Sequence, residues 1–153
     1  MAGRSFDWPR HPLFDGLPDS YVELLAQNST EESFEPRELI FHEGDEADRF
    51  YLITEGNVAV EIFAHGRGPV TIQTEGPGEI VGWSWLVEPY RWMFDAQATV
   101  PTRAIVFDAK AVRSSFDTHP DLGYELMKRF IPIIVERLQA TRLQLLDVYH
   151  VPG

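Results

Sequence analysis

Hydrophobic and polar residues alternate in short runs through the middle of the chain, from about residue 34 to residue 108. Alternation with a period of two is typical of β-strands that have one buried face. Glycine-containing turn sequences separate these runs at Glu43-Gly44-Asp45, Glu55-Gly56-Asn57, His65-Gly66-Arg67-Gly68 and Glu75-Gly76-Pro77-Gly78. Short strands at such spacing predict two antiparallel sheets folded over one another, which is a jelly roll or double-stranded β-helix.

Helical periodicity replaces this alternation at both ends. Leu17-Pro18-Asp19 is a typical helix start, and the apolar residues that follow predict a short helix packed on the roll. Helical spacing returns from about residue 118 to residue 149, where Pro132 lacks a backbone donor and predicts a kink or a break into two helices near Phe130 and Ile131. The expected fold is one domain over residues 1–153, mainly β, with flanking helices and a long C-terminal helix.

The C-terminal helix carries a second apolar pattern. Apolar or small residues recur at steps of four, three, four and three, namely Ile134, Leu138, Thr141, Leu145 and Val148. This heptad spacing is typical of a helix that pairs with a second helix. Periodicity alone is equally consistent with an amphipathic helix that lies on its own roll.

Composition narrows the function classes. The chain has 24 acidic and 13 basic residues and a formal charge of −11, which disfavours binding to nucleic acid and to anionic membranes. Cysteine is absent, which excludes disulfides and thiolate chemistry and suits a reducing cytoplasm. We find neither a signal peptide nor a transmembrane run, so we expect a soluble cytoplasmic protein.

Residue types that carry catalysis or bind metals do not form a recognisable set. The five histidines, at positions 11, 42, 65, 119 and 150, lack metal-ligand spacing. Ser84 lies between two tryptophans without a nucleophile elbow. The acidic run over residues 43–48 is typical of a solvated face. We therefore expect no enzyme activity, no metal and no cofactor.

Three motifs in order resemble the front half of a cyclic nucleotide-binding domain, as found in the catabolite activator and protein kinase A regulatory subunits. They are Ile40-Phe41-His42-Glu43-Gly44-Asp45, Phe50-Tyr51-Leu52-Ile53 and the segment from Glu55 to Val60. The resemblance implies a regulatory β-roll that binds cAMP or a related small ligand between the roll and the C-terminal helix.

The family's pocket uses a glutamate for the ribose and, about nine residues later, an arginine for the cyclic phosphate. By resemblance, Pro77-Gly78-Glu79 matches the family's turn, and Gly82-Trp83 matches its glycine-glutamate pair; Glu79-Ile80 is not that pair. This alignment places Trp83 at the glutamate position and Trp92 at the arginine position, so two anchors are replaced by indoles.

Aromatic residues crowd the segment that contains these replacements, over residues 82–96. They either fill the cavity as core or form a stacking pocket. Arg91 either turns inward to contact a phosphate, or is solvated or paired with a neighbour such as Glu88. A carboxylate at Asp95 disfavours a phosphate ligand, and more so if it pairs with Arg91. The candidate ligand-binding residues are Gly82, Trp83, Ser84, Trp85, Arg91, Trp92, Met93 and Thr141.

Arg137-Leu138-Gln139-Ala140-Thr141 resembles the family's dimerisation helix, in which the threonine matching Thr141 reaches the purine's exocyclic amine. This resemblance favours a dimer seam over a helix lying on its own roll. The chain ends at Gly153, where the activators begin a helix-turn-helix, so no DNA-binding output is expected. The sequence thus predicts a stand-alone homodimeric sensor with a nucleotide-like ligand and an unknown protein partner. The alternative is a ligand-free dimeric interaction module whose pocket is filled by aromatics.

Overall fold

The computed structural model describes residues 11–64 and 66–148, and not the side chains of Ala64, Leu145, Asp147 and Val148. This description leaves out two of the histidines, His65 and His150, and the side chains of two members of the predicted seam, Leu145 and Val148. The elements in chain order are α1 (Asp19–Gln27), β1 (Ser29–Phe34), β2 (Leu39–Phe41), β3 (Arg49–Glu55), β4 (Val58–Ala64), β5 (Gly68–Glu75), β6 (Ile80–Val81), β7 (Asp95–Ala98), β8 (Thr102–Asp108), α2 (Ala109–Ser114) and α3 (Pro120–Val148).

Two antiparallel four-stranded sheets form the roll, with strand orders β1-β8-β3-β6 and β2-β7-β4-β5. In the first sheet Phe50 lies opposite Phe107, and in the second Val58 lies opposite Ala98. Four consecutive residues of β8, Ala104 to Phe107, are buried, as expected for a central strand. The predicted jelly roll with a long C-terminal helix is confirmed.

Pro132 does not divide the C-terminal helix. The helix runs without interruption from Pro120 to Val148, so of the two predicted outcomes the break near Phe130 and Ile131 is wrong, and the kink stays a prediction. A proline inside a helix costs about 3 kcal/mol because a hydrogen bond is lost and the ring crowds the preceding turn. Here the ring lies on the exposed side, while Phe130 and Ile133 on either side pack against the core and hold both halves to the roll.

Gly56 occupies a turn that no other residue fits. Its φ is +94°, and an added Cβ would lie 2.5 Å from the Pro101 carbonyl oxygen and 2.5 Å from Thr102 Oγ1. Gly44 has nearly the same backbone angle, φ +93°, but an added Cβ would meet nothing within 4 Å. The two glycines therefore separate the cost of a left-handed backbone from the cost of a clash.

We expect Gly44→Ala to lower the free energy of unfolding by about 1–2 kcal/mol, because only the backbone is strained. Gly56→Ala should lose about 1–3 kcal/mol more, because the methyl group also overpacks the β4 and β8 ends. Urea unfolding of both variants measures the difference. Equal losses would show that the Gly56 turn relaxes without cost.

Candidate functional site

The segment between β6 and β7 contains most of the predicted site residues and crosses from one sheet to the other. Gly82 opens it with φ +99°, and an added Cβ would lie 2.9 Å from the Trp92 ring. Glycine at this position therefore allows the indole of Trp92 to pack against the backbone. The sequence places these two residues ten positions apart, and the fold brings them into contact.

Trp92 and Trp85 belong to the core. Trp92 is 5% exposed and stacks on Phe41 with ring centroids 3.7 Å apart and planes 9° apart. Trp85 is fully buried, stacks on Phe50 at 4.7 Å and meets the edge of Phe130. In this packing Trp85 presents no exposed surface to a ligand, and ligand contact by Trp85 and Trp92 stays a prediction.

The other predicted residues of this segment differ in exposure. Ser84 is buried, and its carbonyl accepts a hydrogen bond from the Val87 amide in the short turn. Trp83 is half-buried, meets Phe94 edge-on at 6.0 Å, and has a buried Nε1 without a hydrogen-bond partner. Met93 is 44% exposed. Trp83 is therefore the one tryptophan of the segment that combines partial exposure with an unused donor.

Arg91 does not turn into the roll. Its side chain is exposed, and Nη1 donates a long 3.4 Å hydrogen bond to the Gly44 carbonyl. Asp95 instead accepts from the Glu43 amide at 2.7 Å and lies 2.9 Å from His42 Nδ1. Among the described residues Arg91 forms no ion pair with Asp95 or Glu88, and its exposed side chain fits the solvated alternative.

A buried arginine from α3 occupies the interface with the roll. Arg137 is only 2% exposed; its Nε donates to Gln73 Oε1 at 2.9 Å, and Nη2 lies 3.7 Å from Glu75 Oε2. Its guanidinium carbon is 5.5 Å from the centre of the Phe94 ring. One turn later, the Thr141 hydroxyl donates to the Arg137 carbonyl at 2.7 Å. Through these contacts α3 is joined to β5 and to the aromatic segment.

Acidic groups surround this arginine. Glu75 is 2% exposed, and burial raises its pKa to about 7, against the opposing effect of Arg137 and with smaller contributions from Glu79 and Glu136. Burial also lowers the pKa of Arg137, although a guanidinium keeps its charge at neutral pH. Glu136 Oε1 accepts from Gln73 Nε2 at 2.8 Å. The site therefore has one buried cation among several carboxylates.

Sequence reasoning missed Arg137, Gln73, Glu75 and Phe94 as parts of one cluster. Two signals were available: Arg137 begins the motif that ends in Thr141, and Gln73 and Glu75 are two residues apart on a strand, so they share a face. The sequence did not show that α3 covers this face of β5. The pattern of a strand indicates which residues share a face, but not which element packs on that face.

An apolar stripe remains exposed along α3. Its members lie three or four residues apart and are Tyr124, Met127, Ile131, Val135 and Leu138. Leu138, the second member of the predicted seam, is 67% exposed, whereas Ile134 and Thr141 are half-buried. The stripe thus begins earlier on the helix than the predicted seam. No helix among the described residues combines the length and hydropathy needed to cross a bilayer.

Comparison with known proteins agrees with the resemblance drawn from the motifs. The family model of the cyclic nucleotide-binding domain matches residues 31–119, which is more than half of the chain. The matched region runs from within β1 through β8 and α2 and includes the aromatic segment. It ends just before α3, so the helix that supplies Arg137 lies outside the family match.

Individual relatives extend the similarity to most of the chain. The chain is 25% identical over 146 residues to the CRP-like cAMP-activated global transcriptional regulator of Mycobacterium tuberculosis, covering 94% of this chain and 63% of that protein. It therefore spans just under two thirds of that relative's length.

Solved structures share the fold. A Geobacter metallireducens protein whose name assigns it to the cyclic nucleotide-binding class is 30% identical with a TM-score of 0.74, covering 84% of this chain and 92% of that one. A cyclic nucleotide-binding domain from Methylobacillus flagellatus has a TM-score of 0.75 at 22% identity, covering 91% and 78% respectively, and supports the fold alone.

The neighbours Trp92 and Met93 test which residues of the segment hold the fold. Trp92→Ala should lower the free energy of unfolding by about 3–5 kcal/mol, because it empties the space between Phe41 and Gly82. Met93→Ala should change it by less than about 1 kcal/mol, because nearly half of that residue is exposed to water and little packing is lost. Chemical denaturation measures both. A small loss for Trp92→Ala would mean that the ring is not an essential part of the core.

Proposed function

Because the chain belongs to the cyclic nucleotide-binding domain family, we propose that it is a regulatory sensor module that binds a small nucleotide-like ligand between its roll and α3. Arg137 carries this proposal. It extends from α3 into the roll, donates a hydrogen bond to Gln73 and lies 3.7 Å from Glu75 Oε2. It also lies over Phe94, which meets Trp83. A ligand seated beside Trp83 changes the surroundings of this arginine and hence the packing of α3.

The charges at this site favour recognition of a base and sugar rather than of a phosphate. Trp92, at the position where the resemblance expects the phosphate-binding arginine, is stacked on Phe41, and Arg91 is in solvent. The Arg137 charge is engaged by Glu75, with further carboxylates close by. A cyclic phosphate would therefore meet net negative charge. Trp83 Nε1 is a buried donor without a partner, and the Thr141 hydroxyl, which donates to the Arg137 carbonyl, can still accept a hydrogen bond from a ligand.

The output of this sensor is the exposed stripe on α3. A row of apolar side chains at heptad-like spacing on one helix is suited to pairing with the same row on a second copy. We assign the homodimer contact to this stripe, which extends from Tyr124 to Leu138. Because Arg137 and Leu138 are adjacent, the ligand site and the pairing surface share one helical turn.

A second candidate function is a ligand-free dimeric interaction module. The observation in its favour is that Trp92 and Trp85 fill space within the roll by stacking on Phe41 and Phe50. In this case the chain dimerises through α3 and contacts its partner protein without binding the family's ligand.

Calorimetric titration with cAMP and adenosine tests the ligand class. We expect the two affinities to differ by less than about tenfold, because the site has no available cation for the phosphate. A phosphate held by a charge-assisted hydrogen bond would instead favour cAMP by about 1.5–3 kcal/mol or more. Thr141→Val should weaken both ligands, whereas the matched Thr74→Val, at an exposed position of β5, should not.

The remaining outcomes separate the alternatives. A preference for cAMP above about a hundredfold would contradict the expected charge balance, and its loss in Arg91→Ala would identify the anion contact. If the folded dimer binds neither compound at millimolar concentration, the sensor proposal fails and the ligand-free module stands.

Leu138 tests the pairing surface. Leu138→Asp should convert a dimer into a monomer in light scattering at micromolar concentration, because an unpaired carboxylate in an apolar contact costs more than the roughly 2–7 kcal/mol of an unpaired neutral polar group. The matched control is Leu143→Asp, which alters an equally exposed leucine about 140° further round α3. A wild-type monomer, or dissociation by both variants alike, would contradict the assignment of the dimer contact to the stripe.

A further inference from the structure

The contact between β5 and α3 contains more negative than positive charge. Carboxylate oxygens of Glu75 on β5, Glu79 in the following turn and Glu136 on α3 all lie within 4.8 Å of one another. Arg137 on α3 is the cation that faces them, and the residue of β4 paired with Glu75 is the apolar Val58. With all three acids ionised, this contact carries a net charge of about −2.

Of these three carboxylates, Glu75 is the one whose ionised form is unfavourable where it lies. Its Oε1 is buried without a hydrogen-bond partner, and its Oε2 lies 3.7 Å from Arg137 Nη2, which is too long for a direct hydrogen bond. A buried ionised carboxylate whose oxygens lack donors destabilises the arrangement that buries it. Glu79 and Glu136 are exposed, so water stabilises their charges.

We propose that α3 docks on β5 through a proton-linked contact, in which Glu75 takes a proton from solvent when the helix packs and releases it when the helix moves away. Protonation converts the Glu75 carboxylate to a neutral carboxyl and lowers the net charge of the contact from about −2 to about −1. Arg137 keeps its bond to Gln73 and remains close to Glu136, so the buried guanidinium is not left without an acceptor.

The direction of the effect follows from linkage. With α3 docked, the pKa of Glu75 is about 7, above its ordinary value of 4.5. A group whose pKa is raised by packing favours the packed state most at low pH, and this stabilisation is lost as the pH rises through 7. Between pH 6 and pH 8, docking should weaken by about tenfold. This device goes beyond the proposed function, because it requires no ligand.

Hydrogen–deuterium exchange of the full-length chain without ligand tests the proposal. After correction for intrinsic exchange rates, amides in residues 133–141 of α3 should open about tenfold more at pH 8 than at pH 6. Glu75→Gln, which resembles the protonated side chain, should reduce this change to less than about twofold. The matched control, Glu79→Gln, should retain the pH dependence of exchange. The midpoint of that dependence should move to lower pH, because removing the charge of Glu79 lowers the pKa of Glu75.

Two results would overturn the proposal: no pH dependence of α3 in the wild type, or an undiminished dependence in Glu75→Gln. If Glu75→Gln does not fold, carbon-13 NMR of glutamate carboxyls in the wild type gives the answer. One carboxyl titrating near pH 7 supports the proposal, and titration of every glutamate near pH 4.5 contradicts it. Because no nucleotide is added, failure here leaves the ligand-sensing proposal untouched.

Discussion

One aromatic stack holds the sheet, the segment after β6 and the long helix together. Phe50 on β3 lies between Phe107 on β8 and Trp85, with centroid distances of 4.5 and 4.7 Å, and Phe130 of α3 meets Phe50 edge-on. These four side chains are fully buried. Stacked and edge-on rings add to the burial of apolar area, so the position of α3 depends on this contact before any polar group is involved.

The polar cluster on α3 is built on that foundation. Phe130 fixes the helix on the roll two turns before Arg137, and the buried guanidinium then reaches β5 from a helix already in place. A buried ion pair contributes little stability by itself, because desolvation offsets its Coulombic attraction. In the proposed function its role is coupling, in which a group that changes the charge near Arg137 also changes how the second half of α3 packs.

Much of the fold was predictable from sequence, and the site was predictable only in part. Alternation and glycine turns indicate local geometry, so the strands and the jelly roll follow from them. The break at Pro132 was a wrong prediction, because local propensity gave way to the packing of Phe130 and Ile133. The aromatic segment could be read as core or as pocket, and the structure divides it: Trp85 and Trp92 are core, and Trp83 is not. Contacts between distant elements, such as Arg137 with Glu75, leave no periodic signal.

The distribution of tryptophans gives this chain an intrinsic optical reporter. Three of its four indoles lie between residues 83 and 92, within the segment that adjoins both the roll and α3. Trp85 and Trp92 are buried in the core, whereas Trp83 is half-buried beside Phe94. Emission from the first two reports on the integrity of the core, and emission from Trp83 responds to polarity at the boundary. A change of state at that boundary is therefore visible as a spectral shift without an added dye.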